Sequence, residues 1–108
     1  MPKFIYLYRG PATPMSGRAP QEDDAERTAA FGAWMAKLGP ALVDVGNPFG
    51  TSASVRDDGT EGRAGDLIGY TIVEADDLAA AKALTGGLPF LSGSDGKCAV
   101  EIFELLPM

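Results

Sequence analysis

The chain has 108 residues, with 15 acidic against 9 basic, no histidine and one cysteine. The length suits one domain, and a formal charge of −6 argues against nucleic acid or an anionic membrane as partner, since both are bound through basic patches. Without histidine there is no Ser-His-Asp or Cys-His triad and no His-liganded zinc, and one cysteine allows neither an internal disulfide nor a CxxC motif.

In chain order, Lys3 to Tyr8 is dense in aromatic and β-branched residues and stops at Gly10-Pro11, which predicts a first strand. Residues 10–20 hold three prolines and two glycines and read as a loop. Gln21 to Glu26 opens a helix, with Asp23 or Asp24 as cap and carboxylates at the positive end of the helix dipole. Phe31, Trp34, Met35 and Leu38 then recur at helical spacing, Lys37 suits the negative end, and Gly39-Pro40 supplies the stop. Ala41 to Val45 is a second strand, closed by Gly46-Asn47-Pro48. Thr51 to Arg56 reads as a short third strand, and the polar, glycine-rich run 57–65 as a hairpin loop. Leu67 to Val73 is a strand, and Asp76 or Asp77 caps a short helix from Leu78 to Thr85, halted by Gly86-Gly87. Pro89 to Gly96 is loop, with a turn at Ser94-Asp95-Gly96, and Cys98 to Leu105 is the last strand. The order is β-α-β-β-β-α-β. It predicts an α+β fold: a ferredoxin-like βαββαβ antiparallel sheet with one extra short strand and helices on one face, in a single domain over 1–108.

Hydrophobic residues make up 45 % of the chain, the share of a packed globular domain. No apolar run approaches the roughly 18 residues of a membrane span. Phe4 to Tyr8 is also shorter than the roughly 7 residues of a secretory h-region. With an unpaired cysteine, this points to the cytoplasm.

Strand faces carry a further expectation. Phe4, Tyr6 and Tyr8 point one way and Ile5 and Leu7 the other; Leu67 and Val73 oppose Ile68, Tyr70 and Ile72. Both faces are apolar, yet two helices cover only one. Either a second copy of the chain covers the other face, as in most symmetric oligomers, or that face lines a ligand pocket or is half covered by loops.

Several stretches together resemble the YCII-related family, which includes the DGPF-like proteins, of the dimeric α/β-barrel superfamily. They are the Lys3-to-Tyr8 strand, Phe31-Gly-Ala-Trp-Met-Ala-Lys-Leu-Gly39, Leu42-Val-Asp-Val-Gly-Asn47, Gly69-Tyr-Thr-Ile-Val-Glu-Ala-Asp76, Leu78 to Leu84, Pro89 and Val100-Glu-Ile-Phe-Glu104. The resemblance implies two ferredoxin-like subunits packed sheet to sheet with helices outside. Where a catalytic cleft is proposed in such families it pairs a histidine with an aspartate. That histidine would fall near Phe31 to Trp34, and this chain has none; Asp58-Gly59 is followed by Thr60-Glu61, without the Pro-Phe of the DGPF signature. The implied fold carries over, and the His–Asp chemistry does not.

Candidate site residues follow from residue type. Asp44, between Val43 and Val45 and on one face with Leu42 and Gly46, is either a general acid or base among apolar neighbours, or a carboxylate that faces a wet cleft or accepts a backbone hydrogen bond. Tyr6, Tyr8, Trp34 and Tyr70 either line a pocket for a small flat or apolar ligand or pack as core or dimer interface. Arg9, ending the first strand, either binds a ligand carboxylate or pairs with a surface acid. Glu101 and Glu104 fall on opposite faces of the last strand, and Cys98 reads as an inert small hydrophobe. Asp57, Asp58 and Glu61 lack calcium-loop spacing, and the Gly46–Gly50 and Gly86-Gly87 stretches lack phosphate-loop context, so neither metal nor cofactor is expected. Three functions remain open: a homodimeric barrel protein with a cleft for a small organic ligand, an isomerase or lyase using Asp44, and an interaction module without a ligand.

Overall fold

The computed structural model describes residues 1–10, 24–62, 64–91 and 98–107, with the backbone alone for 24–28. The strands are β1 (Lys3–Arg9), β2 (Leu42–Asp44), β3 (Ser54–Val55), β4 (Glu61–Gly62), β5 (Leu67–Glu74) and β6 (Ala99–Leu105); the helices are α1 (Asp24–Leu38) and α2 (Leu78–Ala83). Four strands build one antiparallel sheet in the order β2-β5-β1-β6. The fold is α+β, and this strand order is compatible with a ferredoxin-like connection.

Helix α1 ends where Gly39 takes φ +56°, a left-handed turn that glycine adopts without strain. Of the two candidate caps for α2, Asp77 serves: its Oδ1 accepts the Ala80 N–H at 2.8 Å. The loop at 10–20 lies outside the described residues from 11 onward, as do the turn at 94–96 and the Gln21-to-Asp23 start of the first helix. The predicted loop after the second helix contains a 3₁₀ turn at Pro89–Leu91.

One face of the sheet carries the core. Phe4, Tyr6 and Tyr8 of β1 stand beside Val73 and Thr71 of β5, all buried, and meet Trp34 and Leu38 of α1, Ala81 of α2 and Leu88. Apolar burial on this face drives the fold, at about 1.5–3 kcal/mol per large side chain. Three hydroxyls brought into the core, those of Tyr6, Tyr8 and Thr71, are all satisfied. Tyr6 Oη donates to the Ala81 carbonyl, tying β1 to α2. Thr71 Oγ1 donates to the Val45 carbonyl at 2.9 Å. Its only proton is then spent, so Tyr8 Oη donates to Thr71 Oγ1, 2.7 Å away.

Three departures from the sequence reading have physical causes. The short third strand does not join the main sheet. Reduced to Ser54–Val55, it pairs with Glu61–Gly62 inside the predicted hairpin loop, as a separate two-stranded ribbon. Its turn is closed by Asp58 Oδ1, which accepts from the Thr60 N–H at 2.9 Å and the Thr60 hydroxyl at 2.7 Å, and these bonds hold the exposed Asp58 carboxyl below the usual carboxylate range. Second, the β1–β5 register shifts between Tyr8, opposite Gly69, and Arg9, opposite Leu67. A bulge of this kind breaks the two-residue alternation. Leu67 therefore falls on the side of Arg9, while Ile68 packs against the core, the reverse of the simple alternating pattern. Third, β2 is three residues long and shifts between Leu42, opposite Val73, and Asp44, opposite Ile72. Asp44 thus joins the face of Ile72 and leaves that of Leu42, correcting the expected shared face.

The buried hydroxyls predict an alkaline transition. Burial pushes Tyr6 up to about 12 from its ordinary 10.0, and it also raises Tyr8. Below pH 10 the phenol is protonated whether the chain is folded or not, so there is no difference to lose. Between pH 10 and 12 the unfolded chain ionises and the folded one resists, so stability falls, by about 2–3 kcal/mol for Tyr6. Tyr6→Phe lacks this loss but leaves the Ala81 carbonyl unpartnered, at about 1 kcal/mol. In urea melts the variant is expected to be the less stable protein at pH 8 and the more stable one near pH 12. Parallel pH profiles for the two proteins would show that Tyr6 does not ionise differently on folding.

Candidate functional site

The opposite face of the sheet presents Ile5 and Leu7 of β1, Tyr70 and Ile72 of β5, and Glu101, Phe103 and Leu105 of β6, by the register of the ladders. Among the described residues both helices lie on the other side, against the core cluster. Phe103 is 54 % exposed and Leu105 39 %, an apolar surface that no element among the described residues covers.

The sequence-predicted site residues separate into two groups. Tyr6, Tyr8 and Trp34 lie in the core: Trp34 is in ring contact with Tyr6 at 6.2 Å and Phe31 at 5.8 Å, and Tyr8 with Phe31 at 5.9 Å and Phe90 at 5.3 Å. The Trp34 indole N–H donates to the Leu84 carbonyl at 3.0 Å. Every polar tip in this group is spent inside the fold. Asp44, Arg9 and Tyr70 lie on the open side. Arg9 Nε is 2.9 Å from Glu101 Oε1, with both side chains substantially exposed, so its charge is matched within the chain. Glu104 is exposed on the core side of β6, opposite Phe4. Cys98, expected to start the last strand as an inert small hydrophobe, precedes β6, which begins at Ala99, and is exposed.

Around Asp44 the chain forms a small constellation. Asp44 is exposed. Its Oδ1 accepts the Gly46 N–H at 2.9 Å, and its Oδ2 accepts the Tyr70 hydroxyl at 3.3 Å. Two glycines let the following segment lie flat along β5. Gly46 has φ +78° and sits against the Tyr70 carbonyl. A Cβ on Gly69 would lie 3.2 Å from the Asn47 carbonyl oxygen and 3.3 Å from Pro48 Cα. The segment is pinned by a bridge between Pro48 and Gly69 and by the Phe49 N–H, which donates to Ile68 at 2.8 Å. This brings the Phe49 ring onto Tyr70, with centroids 5.9 Å apart and planes at 23°. Beyond Phe49 an open groove of about 300 Å³ runs between Pro48–Ser52 and Ala64, Gly65 and Leu67.

Phe49 and Gly46 are not among the candidate site residues: the sequence points to 46–48 as a strand closure and to 46–50 as a stretch without phosphate-loop context. The available signal was a phenylalanine between Pro48 and Gly50: a large aromatic in a turn needs a surface to pack on. Among the described residues no group of three acidic, cysteine or histidine side chains is placed to hold a metal ion, and no helix is long and apolar enough to cross a membrane. Comparison with known proteins yields no matching family model, no matching curated protein and no matching solved structure.

Proposed function

We propose that this chain is a YCII-related, ferredoxin-like protein that works as a homodimer, two copies packing open face to open face around a barrel whose cleft takes a small organic molecule. One observation carries this reading: Ile5, Leu7, Ile72, Phe103 and Leu105 share a sheet face that neither helix covers. Single chains rarely leave contiguous apolar patches beyond a few hundred Å² exposed, and a two-fold symmetric pair buries the same patch on both copies. The family assignment rests on the ordered set of sequence stretches given above. A cytoplasmic location belongs to the same proposal and is supported by the single, exposed cysteine, Cys98. The ligand-binding part is supported by the groove beside Phe49 and by the polar cluster at Asp44, both at the edge of the open face.

Light scattering at micromolar concentration is expected to give twice the 11.2 kDa of one chain. Phe103→Glu tests the face itself. Phe103 is 54 % exposed in the single chain, so glutamate there leaves the fold intact, with unchanged circular dichroism. Across a symmetric interface it places unpaired carboxylates in apolar surroundings, and the mass is expected to fall to that of the monomer. A wild-type protein that runs as a clean monomer would sink the dimer.

A further inference from the structure

Among the described residues one ion pair forms on the open face, and Asp44 is not part of it. Lys3 stands directly opposite Glu74 across the β1–β5 ladder, and Arg9 is paired with Glu101. Asp44 has only neutral donors among the described residues, the Gly46 N–H and the Tyr70 hydroxyl. Each of its oxygens accepts one of these bonds, and a carboxylate has about four acceptor sites, so capacity remains for a charged donor. Beside it, Tyr70 and Phe49 supply a stacked aromatic pair, and ring faces attract cations. The groove lined in part by Phe49 offers room for an organic tail.

We propose that Asp44, Tyr70 and Phe49 form a binding site for a small organic ammonium ion, the carboxylate taking the charged head and the groove by Phe49 and Leu67 taking the apolar tail. A carboxylate-bearing ligand at Arg9 would have to compete with Glu101 for the guanidinium. The site deepens the small-ligand part of the reading above and rests on it, since it names the chemistry that the cleft beside Phe49 would take.

The test is a titration of the isotope-labelled full chain with benzylammonium chloride, and with benzyl alcohol as its neutral counterpart. Amide shifts are followed by NMR, and the mass of each sample by light scattering. Benzylammonium is expected to move the Asp44, Gly46 and Tyr70 amides and to bind about tenfold more tightly than the alcohol, the scale of one charge-assisted hydrogen bond. Asp44→Asn keeps an oxygen that can accept from Gly46 or Tyr70 and is expected to abolish the preference for the cation. Should that variant not fold, Phe49→Leu is expected to weaken benzylammonium several-fold through loss of the ring face. Equal binding of amine and alcohol, undiminished preference in Asp44→Asn, or no movement of those amides overturns the site. A monomer that shows the preference upholds the site and removes the paired sheets; a dimer without it removes the site and leaves the paired sheets standing.

Discussion

Gly46→Ala is expected to lower the melting temperature by about 12 °C or more, the effect of losing about 3 kcal/mol. Two independent penalties act at this position. The backbone there has φ +78°, a left-handed conformation that costs an L-residue about 1–2 kcal/mol. A Cβ would also overlap the Tyr70 carbonyl oxygen and come within 2.6 Å of its carbon. That obstacle is backbone in the middle of β5, so no rotamer change relieves it; the 45–49 segment has to leave the strand. Its departure would break the Thr71–Val45 and Phe49–Ile68 hydrogen bonds and take the Asp44 loop with it. Gly39 serves as the internal control. It too has positive φ, at +56°, but nothing lies within 4 Å of a Cβ built on it. Gly39→Ala is therefore expected to cost only the conformational term, about 1 kcal/mol. Thermal melts of the two variants side by side separate strain from collision, and equal losses would show that close packing against Tyr70 contributes nothing.

Trp34→Ala is expected to cost about 3–5 kcal/mol, a large share of the 5–15 kcal/mol that holds a domain of this size. Trp34 is 3 % exposed, and it joins three elements at once: its ring meets Tyr6 of β1 and Phe31 of α1, and its N–H meets the Leu84 carbonyl at the end of α2. Truncation leaves a cavity between helices and sheet and frees that carbonyl. Trp34→Phe keeps much of the aromatic volume and loses the hydrogen bond; its expected cost is about 1–2 kcal/mol. Urea melts with an unchanged slope would confirm that both variants act on the folded state. The same experiment decides between the two sequence readings of this residue. A pocket-lining tryptophan could be removed with little loss of stability, and a core tryptophan could not.

Much of the architecture was legible because it depends on neighbours close in sequence. The alternation of Phe4, Tyr6 and Tyr8 against Ile5 and Leu7 has a period of two, and the spacing of Phe31, Trp34 and Leu38 has a period near 3.6; each selects a buried face without reference to the rest of the chain. Gly39 and Asp77 mark helix ends for equally local reasons. The bulges at Ile68 and Val43 were not legible. Alternation written along one strand cannot show that its partner is a residue short, and that mismatch moved Leu67, Ile68 and Asp44 to the opposite side from the one their positions suggest.

The site was legible only as a set of residue types. Asp44, Tyr70 and Arg9 were candidates because their groups can do chemistry, and Tyr6, Tyr8 and Trp34 because they are large and carry a polar tip. Their sorting came from pairing over long separations: Tyr6 with Ala81 across 75 positions, Tyr8 with Thr71 across 63, and Tyr70 with Asp44 across 26. Such pairings leave no periodic trace. The lack of histidine, the single cysteine and the net charge of −6 excluded whole classes of mechanism before any fold was considered, since composition bounds chemistry wherever the chain runs. Sequence alone also determined that both sheet faces are apolar, because side-chain direction in a strand follows from backbone geometry. Only the tertiary structure decided that the tyrosines of β1 are spent in the core, that Arg9 is neutralised by Glu101, and that Asp44 is left on the open face without a cation among the described residues. Those outcomes depend on which strands become neighbours and in what register, and that is set by the packing of the whole chain.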